Sequence, residues 1–209
     1  MTVPPPSTLD LIALIASRVC HDVINPVGAI NNGLEVLDED EDGEMREVAL
    51  ELVRKSARSA SARLQFARLA FGFAGSAGAS IDLSDAGRAA TAYVDGDRSS
   101  LDWQVPAGFA AKDRVKLALT VVALSLQAIP RGGHVVVAAT NAELDGLTVT
   151  ATGSHARIPA GLGELLAGET DKPLDAHAAV GFYAGLLART AGLAVSIGKD
   201  GDTVRFDVR

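Results

Sequence analysis

Residues 20–26 read Cys-His-Asp-Val-Ile-Asn-Pro and lie inside a segment whose apolar residues recur at helical spacing. The apolar stripe of this predicted helix comprises Ile12, Ile15, Val19, Pro26, Ile30, Leu34 and Leu37. At about 100° per residue, His21 lies roughly 165° from the centre of the stripe. A core histidine would lie on the stripe itself. The sequence therefore predicts an imidazole that faces solvent or a partner molecule.

The composition is that of a globular protein with a sizeable core. The chain has 209 residues, is 48% apolar and carries a formal charge of −7, so general binding to nucleic acid or to an anionic membrane is not expected. Met1–Pro6 contains three prolines and lacks the basic residue of a secretory signal. The longest apolar run, Leu117–Ile129, is about 13 residues, which is too short for a bilayer span. We predict a cytoplasmic protein.

Cys20 is the only cysteine, so the chain can form neither an internal disulfide nor a cysteine-based zinc cluster. Its position beside His21 leaves two interpretations, a thiol nucleophile or a packed and inert thiol. Adjacent side chains on a helix diverge by about 100°, which favours the packed thiol.

The first half of the chain is predicted to form a hairpin of two long helices over residues 7–74. Ser7 or Thr8 caps the first helix, and an acidic turn follows at 38–43. The second helix begins near Asp42 and Glu44, where carboxylates suit a helix N-terminus, and ends by Gly75. A lone hairpin of this length leaves much apolar surface in water. We therefore predict a homodimer in which two hairpins form a four-helix bundle.

The second half has the pattern of an α+β sandwich, with helices packed mainly on one face of a mixed sheet. A flexible linker, Gly-Ser-Ala-Gly-Ala-Ser at 75–80, precedes it, so the predicted domains are residues 1–78 and 79–209. Strands are predicted at Ile81–Leu83, Leu101–Val105, His134–Thr140, Leu147–Thr152, Leu193–Ile197 and Thr203–Val208. Helices are predicted at Asp85–Tyr93, Lys112–Ile129 and Ala176–Ala191. The wholly apolar run Val135–Val137 indicates a strand inside the sheet.

A histidine-bearing hairpin followed by an α/β sandwich resembles the core of a sensor histidine kinase. The pattern of residues 21–26 matches that family, in which His is followed by an acidic residue, two variable residues, Asn or Thr, and often Pro. Leu117–Val137 also resembles the helix, glycine turn and strand of the kinase asparagine box. The resemblance implies a dimerisation and phosphoacceptor hairpin joined to a Bergerat-type domain.

The motifs that bind nucleotide in those kinases are missing. Gln127 stands where the asparagine box has its metal-holding amide, and Ala123 stands where a second Asn is usual. Residues 150–155 lack the aspartate that binds adenine, and residues 175–187 lack the clustered glycines of an ATP lid. We therefore expect a sandwich that has kept the fold but lost the ability to bind ATP. This chain itself is then expected to bind no cofactor.

A phosphoacceptor hairpin with a degenerate catalytic domain is similar to the ChpT-type histidine phosphotransferases of alphaproteobacteria. The resemblance is strongest over residues 17–22 and 26–35 and spans nearly the whole chain. It implies that phosphoryl groups pass through His21 from the receiver domain of a CckA-like hybrid kinase to CtrA- and CpdR-like response regulators. The receiver would bring its own Mg²⁺ and lysine. The resemblance thus implies a role in cell-cycle control.

Three residues are predicted to act in the chemistry. His21 is the nucleophile, because a good fraction of free imidazole is unprotonated near neutral pH. Asp22 either orients or deprotonates His21 or is a solvated carboxylate. Asn25, one turn later, either hydrogen-bonds a phosphoryl oxygen or a water, or is a plain surface residue.

A second set of residues is predicted to contact the receiver on the same side of the helix, namely Leu14, Ser17, Arg18, Gly28 and Asn32. Arg18 either pairs with the phosphoryl group or an acidic receiver edge, or is solvated. Gly28 either clears space for a docking helix or allows close packing of the hairpin. The other histidines, at 134, 155 and 177, lack partners at helical spacing and are predicted to be structural or surface residues.

Two other functions fit parts of the pattern. An ATP-dependent histidine kinase would bind nucleotide tightly and phosphorylate itself. A non-enzymatic dimeric adaptor would keep its function after replacement of His21 by Ala.

Overall fold

The computed structural model describes residues 4–40, 43–72, 80–95 and 98–209. Its N-terminal part is an antiparallel pair of helices, α1 (Thr8–Glu39) and α2 (Arg46–Ala70). A capping box starts α1, since the Ser7 hydroxyl accepts from the Asp10 N–H while the Asp10 carboxylate accepts from the Ser7 N–H. The predicted helical hairpin is therefore confirmed.

The second helix starts later and ends earlier than the sequence predicts. Met45 is the residue before its first turn, and Glu44 lies in the bend that precedes it. The Asp40 carboxylate accepts a hydrogen bond from the Met45 N–H at 3.3 Å, which extends the turn to that residue. Asp42 and most of the predicted linker, residues 75–79, lie outside the described residues.

The apolar stripe of α1 is only partly covered by α2. Pro26 and Gly33 are buried at the contact, and a Cβ added to Gly33 would lie 2.7 Å from Val53 Cγ2. Ile12 and Leu34 belong to the same predicted stripe and are 60% and 46% exposed. The hairpin alone therefore does not bury the apolar side that the periodicity defines.

The C-terminal part combines helices with two sheets. Its helices are α3 (Leu83–Val94), α4 (Lys112–Ala128), α5 (Leu162–Ala167) and α6 (Ala178–Thr190). Its strands are β1 (Ser80–Asp82), β2 (Ser99–Gln104), β3 (Phe109–Ala111), β4 (Gly133–Ala139), β5 (Leu147–Thr152), β6 (Val195–Asp200) and β7 (Thr203–Val208). The short elements β3 and α5 are additions to the predicted set.

The larger sheet has the strand order β2-β4-β5-β7-β6, in which only the β2–β4 pair is parallel. β4 lies inside the sheet, as the run Val135–Val137 predicts. Alternate residues of β4, β5 and β7 are buried on the side that α4 covers, and α4 itself is buried along most of its length. This mixed sheet with a helical layer confirms the predicted α+β sandwich.

Among the described helices, α1 has the length and apolar composition that a membrane span would need. The same composition is found in amphipathic helices of folded proteins, and α1 carries Asp10, Arg18 and Asp22 along its length. Its packing against α2 identifies it as one helix of the hairpin.

Candidate functional site

His21 lies near the middle of α1, and its side chain is 62% exposed. This is the outward orientation that the apolar period predicts. Its Nδ1 lies 3.7 Å from Asp22 Oδ1, beyond hydrogen-bonding distance but close enough for electrostatic attraction. One ring nitrogen therefore faces a carboxylate, and the ring as a whole is open to solvent.

Arg18 and Asp22 form an ion pair one turn apart on α1, with Arg18 Nε 3.1 Å from Asp22 Oδ2. Their side chains are only 14% and 16% exposed, because the pair lies where the hairpin meets the C-terminal helices. Both residues are thus partnered within the chain. The interpretations of Asp22 as a solvated carboxylate and of Arg18 as a solvated side chain are wrong.

His177 comes directly before α6 and lies beside His21. The two imidazole rings have centroids 5.8 Å apart and meet edge to face at 71°. Arg18 Nη1 hydrogen-bonds His177 Nδ1, so a residue of α1 is tied to the start of α6. The sequence predicts only a structural or surface role for His177. Its contacts with Arg18 and His21 join the two halves of the chain at the site.

Asp175 fixes the backbone at this point. Its Oδ1 accepts hydrogen bonds from the backbone N–H groups of His177 at 2.9 Å and Ala178 at 2.7 Å. These bonds, with that from Ala178 the stronger influence, lower the pKa of Asp175. The carboxylate therefore caps α6 and holds the His177 main chain in place.

Tyr93 of α3 lies next to Arg18 and Asp22, on the side of the site that faces the protein interior. Its ring stacks on Phe66 of α2 with centroids 3.9 Å apart and an interplanar angle of 9°. Burial raises the pKa of Tyr93, and the nearby Asp22 carboxylate adds to that increase, while Arg18 opposes it by charge and by a side-chain hydrogen bond. Arg18 thus bonds to Asp22 of α1 and to His177 before α6, and it lines the same small cavity as Tyr93 of α3.

The other predicted site residues share the side of α1 that carries His21. Ser17, Asn25 and Asn32 are exposed, while Leu14 and Gly28 are half-buried. A Cβ added to Gly28 would meet nothing within 4 Å, so this glycine does not serve close packing of the hairpin. The structure therefore brings Leu14, Ser17, Gly28 and Asn32 onto one accessible helix side with His21.

Cys20 is exposed in the single chain, so the interpretation of a packed thiol is wrong for the isolated chain. At about 100° per residue it lies on the same side of α1 as the exposed residues Ile24 and Val27. His134 and His155 are also exposed; His134 contacts Ser100 and His155 contacts Arg131. Neither of these two histidines adjoins the site.

An open cleft of about 600 Å³ lies between α4, the start of α6 and residues 159–175. Four carboxylates line it, from Glu164, Glu169, Asp171 and Asp175, against the single ammonium of Lys172. Gln127 also lines the cleft, and its Nε2 is buried without a hydrogen-bond partner. This lining has an excess of negative charge and does not suit a triphosphate. Among the described residues, no cluster of three or more metal-ligating side chains occurs.

Sequence reasoning missed His177 and Tyr93 as members of the site. Both are far from His21 along the chain, and helical spacing relates only neighbours in sequence. The one local signal was Asp175, whose position two residues before His177 is typical of a helix cap.

Comparisons with known proteins agree over nearly the whole chain. Residues 83–203 match the family described as histidine phosphotransferase C-terminal domain. The chain is 44% identical over 202 residues to the protein phosphotransferase ChpT of Brucella abortus strain 2308, covering 96% of this chain and 95% of that protein. A solved structure of a bacterial phosphotransferase is 40% identical, with full coverage of both chains and a TM-score of 0.88. The chain therefore belongs to the ChpT-type histidine phosphotransferases and acts as a phosphotransferase in a phosphorelay.

Proposed function

We propose that His21 is the residue that carries the phosphoryl group. The observation that supports this role most strongly is an exposed imidazole at the centre of α1, with one nitrogen directed at a carboxylate. Since Nδ1 faces Asp22, the proton of the neutral ring is favoured there, and Nε2 keeps its lone pair for attack.

The reaction follows from this arrangement. Nε2 attacks the phosphorus of a receiver's aspartyl phosphate, the N–P bond forms, and the P–O bond breaks so that the aspartate leaves as a carboxylate. The ring then holds Nδ1–H and a positive charge, which the Asp22 carboxylate stabilises from 3.7 Å. Transfer to a second receiver is the same displacement in reverse, with the second aspartate as nucleophile. Asn25, exposed one turn after His21, is placed to hydrogen-bond a phosphoryl oxygen.

The receiver docks on the side of α1 that carries His21. Leu14, Ser17, Gly28 and Asn32 span this side over several turns, and the space around Gly28 is free of the chain's own atoms. In this proposal Mg²⁺ belongs to the receiver, where it neutralises charge on the aspartyl phosphate. The upstream donor is a CckA-like hybrid kinase, and the acceptors are CtrA- and CpdR-like regulators that control the cell cycle.

A homodimer completes the hairpin. Ten of the 13 exposed large apolar side chains among the described residues lie on α1, α2 and their connection, which concentrates uncovered apolar surface on this half. A second copy of the hairpin would cover that surface as a four-helix bundle and leave His21 accessible. The protein is proposed to be cytoplasmic, where its partners' receiver domains are found.

The test is direct transfer from a phosphorylated receiver domain. Radiolabelled receiver phosphate should appear on this chain as an acid-labile and base-stable adduct, which is typical of phosphohistidine. His21→Gln should take up no label. His155→Asn is the control, because Asn tolerates the left-handed backbone at that exposed position, where φ is 67°. Label on the His21→Gln chain would contradict the proposal and favour the adaptor function.

The alternative of an ATP-dependent kinase has its own measurement. Incubation with γ-labelled ATP and Mg²⁺ should leave the chain unlabelled, because the carboxylate-lined cleft repels phosphate and Gln127 replaces the usual asparagine. Autophosphorylation at micromolar ATP would instead establish the kinase.

A further inference from the structure

The site contains a second histidine that the proposed chemistry does not use. His177 is supplied by the C-terminal part of the chain, directly before α6. Its side chain is exposed like that of His21, and the two rings are 5.8 Å apart.

Arg18 is the residue through which His177 connects to the chemistry. A guanidinium is a donor only, so His177 Nδ1 must accept the hydrogen bond from Arg18 Nη1. The same guanidinium donates through Nε to Asp22 Oδ2 at 3.1 Å. Asp22, Arg18 and His177 are therefore linked in series by hydrogen bonds, and both end residues, Asp22 and His177, lie beside His21.

The backbone beneath His177 is held separately. Asp175 accepts from the N–H groups of residues 177 and 178, and α6 packs against α1 and α4. The imidazole is thus fixed at its Cα by a capped helix and at Nδ1 by Arg18. Such a doubly fixed side chain restricts the guanidinium to one position beside the ring that reacts.

We propose that His177 is a positioning residue for phosphotransfer, which acts by holding the Arg18 guanidinium beside His21. This inference rests on the proposed role of His21 as the phosphoacceptor. Its consequence is that the degenerate domain supplies part of the relay site. Without the acceptor at residue 177, the guanidinium keeps its Nε bond to Asp22 but its Nη1 end is no longer held, so its positive charge loses its fixed distance from the incoming phosphoryl group.

The experiment is single-turnover transfer from phosphorylated receiver domain to the full chain, at a series of receiver concentrations. His177→Ala should lower the maximal rate by about tenfold, which is what loss of one hydrogen bond to a charged group corresponds to. The receiver concentration that gives the half-maximal rate should stay within about twofold of the wild-type value, because His177 does not contribute to binding of the receiver. His177→Asn should recover most of the rate, because its Oδ1 can accept the bond in place of Nδ1.

The matched control is His134→Ala, which removes another exposed imidazole of the same domain, one that contacts the Ser100 hydroxyl. It should transfer at the wild-type rate. His177→Leu keeps the side-chain volume without the acceptor, so it replaces His177→Ala if that variant does not fold. Thermal unfolding of each variant separates loss of fold from loss of rate.

A double-mutant cycle shows whether His177 acts through Arg18. In an Arg18→Ala background, His177→Ala should slow transfer no further. Additive losses of rate in the double variant would contradict the inference. A His177→Ala chain that reached the wild-type maximal rate only at higher receiver concentration would also contradict it, because His177 would then be a docking contact. Label that persists in His21→Gln would instead contradict the proposed function, so the two failures are distinguishable.

Discussion

At the scale of single residues, the proposed mechanism makes the Asp22 carboxylate the electrostatic partner of His21 during phosphotransfer. Asp22 Oδ1 lies 3.7 Å from His21 Nδ1. The Asp22 side chain is 16% exposed and the His21 side chain is 62% exposed, so solvent screens the pair mainly from the imidazole side. In the proposed reaction, this carboxylate would stabilise the positively charged ring, which is the state that forms when His21 attacks and from which the phosphoryl group leaves.

We expect Asp22→Asn to slow transfer in both directions by about tenfold, since an amide keeps the shape of the carboxylate and loses its charge. The measurement is the single-turnover rate of loading from one receiver and unloading to another. Asp38→Asn removes an exposed carboxylate from the same helix and serves as the control. Equal rates for the wild type and Asp22→Asn would show that the carboxylate has no part in the chemistry.

The residue scale also shows what the sequence can and cannot predict about the site. The outward direction of His21 follows from apolar periodicity, because a helix fixes the angle between residues that are close in sequence. The partners of Arg18 do not follow from it. His177 and Tyr93 reach Arg18 only because α3 and α6 pack against the hairpin, and spacing along the chain contains no information on that packing.

At the scale of helices and strands, the elements found from sequence are those long enough to show a period. β3 has three residues and becomes a strand by pairing with β1, a contact that local propensity does not encode. α5 has six residues between Gly161 and Gly168, both of which have left-handed backbone with φ of 75° and 86°. A glycine at each end was the available signal for this short helix.

Two glycines five residues apart on α1 give opposite expectations for the same substitution. Gly33→Ala places a Cβ 2.7 Å from Val53 Cγ2 and 3.2 Å from the Ala49 carbonyl oxygen, and we expect it to lower the free energy of unfolding by about 1–3 kcal/mol. Gly28→Ala meets nothing within 4 Å, so we expect a gain of up to about 1 kcal/mol from helix propensity. Urea unfolding of both variants measures the difference. Destabilisation by Gly28→Ala would show that this position is packed.

The cap of α6 gives a prediction with a pH dependence. Asp175→Ala removes the acceptor for the N–H groups of His177 and Ala178, and we expect a loss of about 1 kcal/mol in the free energy of unfolding at pH 7. Folding lowers the pKa of Asp175 from its ordinary value of 3.8, so the ionised form stabilises the native state. That stabilisation is complete above pH 3.8 and is lost as the pH falls through the lowered native-state value.

Urea unfolding of the wild type and Asp175→Ala at a series of pH values measures this effect. The difference between the two should be constant from pH 7 down to about pH 5 and should shrink in more acid solution. Asp171→Ala, at an exposed position in the same segment, is the control for general charge effects. A difference that grew in acid would contradict the assignment of the cap.

At the scale of the whole molecule, the two halves differ in how completely they cover their apolar residues. The sandwich buries its core, while α1 and α2 carry most of the exposed large apolar side chains found among the described residues. At about 100° per residue, α1 has three distinct sides. One carries Leu9, Val27 and Leu34, a second packs on α2, and a third presents His21. In the proposed dimer, one helix would thus use separate surfaces for dimer formation, for folding and for chemistry.

The proposed dimer follows from that division and can be tested with a matched pair of substitutions. Val27 is 42% exposed on the uncovered side of α1, and Leu186 is 41% exposed on α6, so Glu at each position changes polarity equally in the single chain. Val27→Glu should convert the dimer into a monomer, because the bundle would have to bury a carboxylate beside its symmetry mate. Leu186→Glu should leave the dimer intact. Light scattering after size-exclusion chromatography gives the mass of each, and a dimeric Val27→Glu or a monomeric wild type would show that this side of α1 does not form the dimer contact.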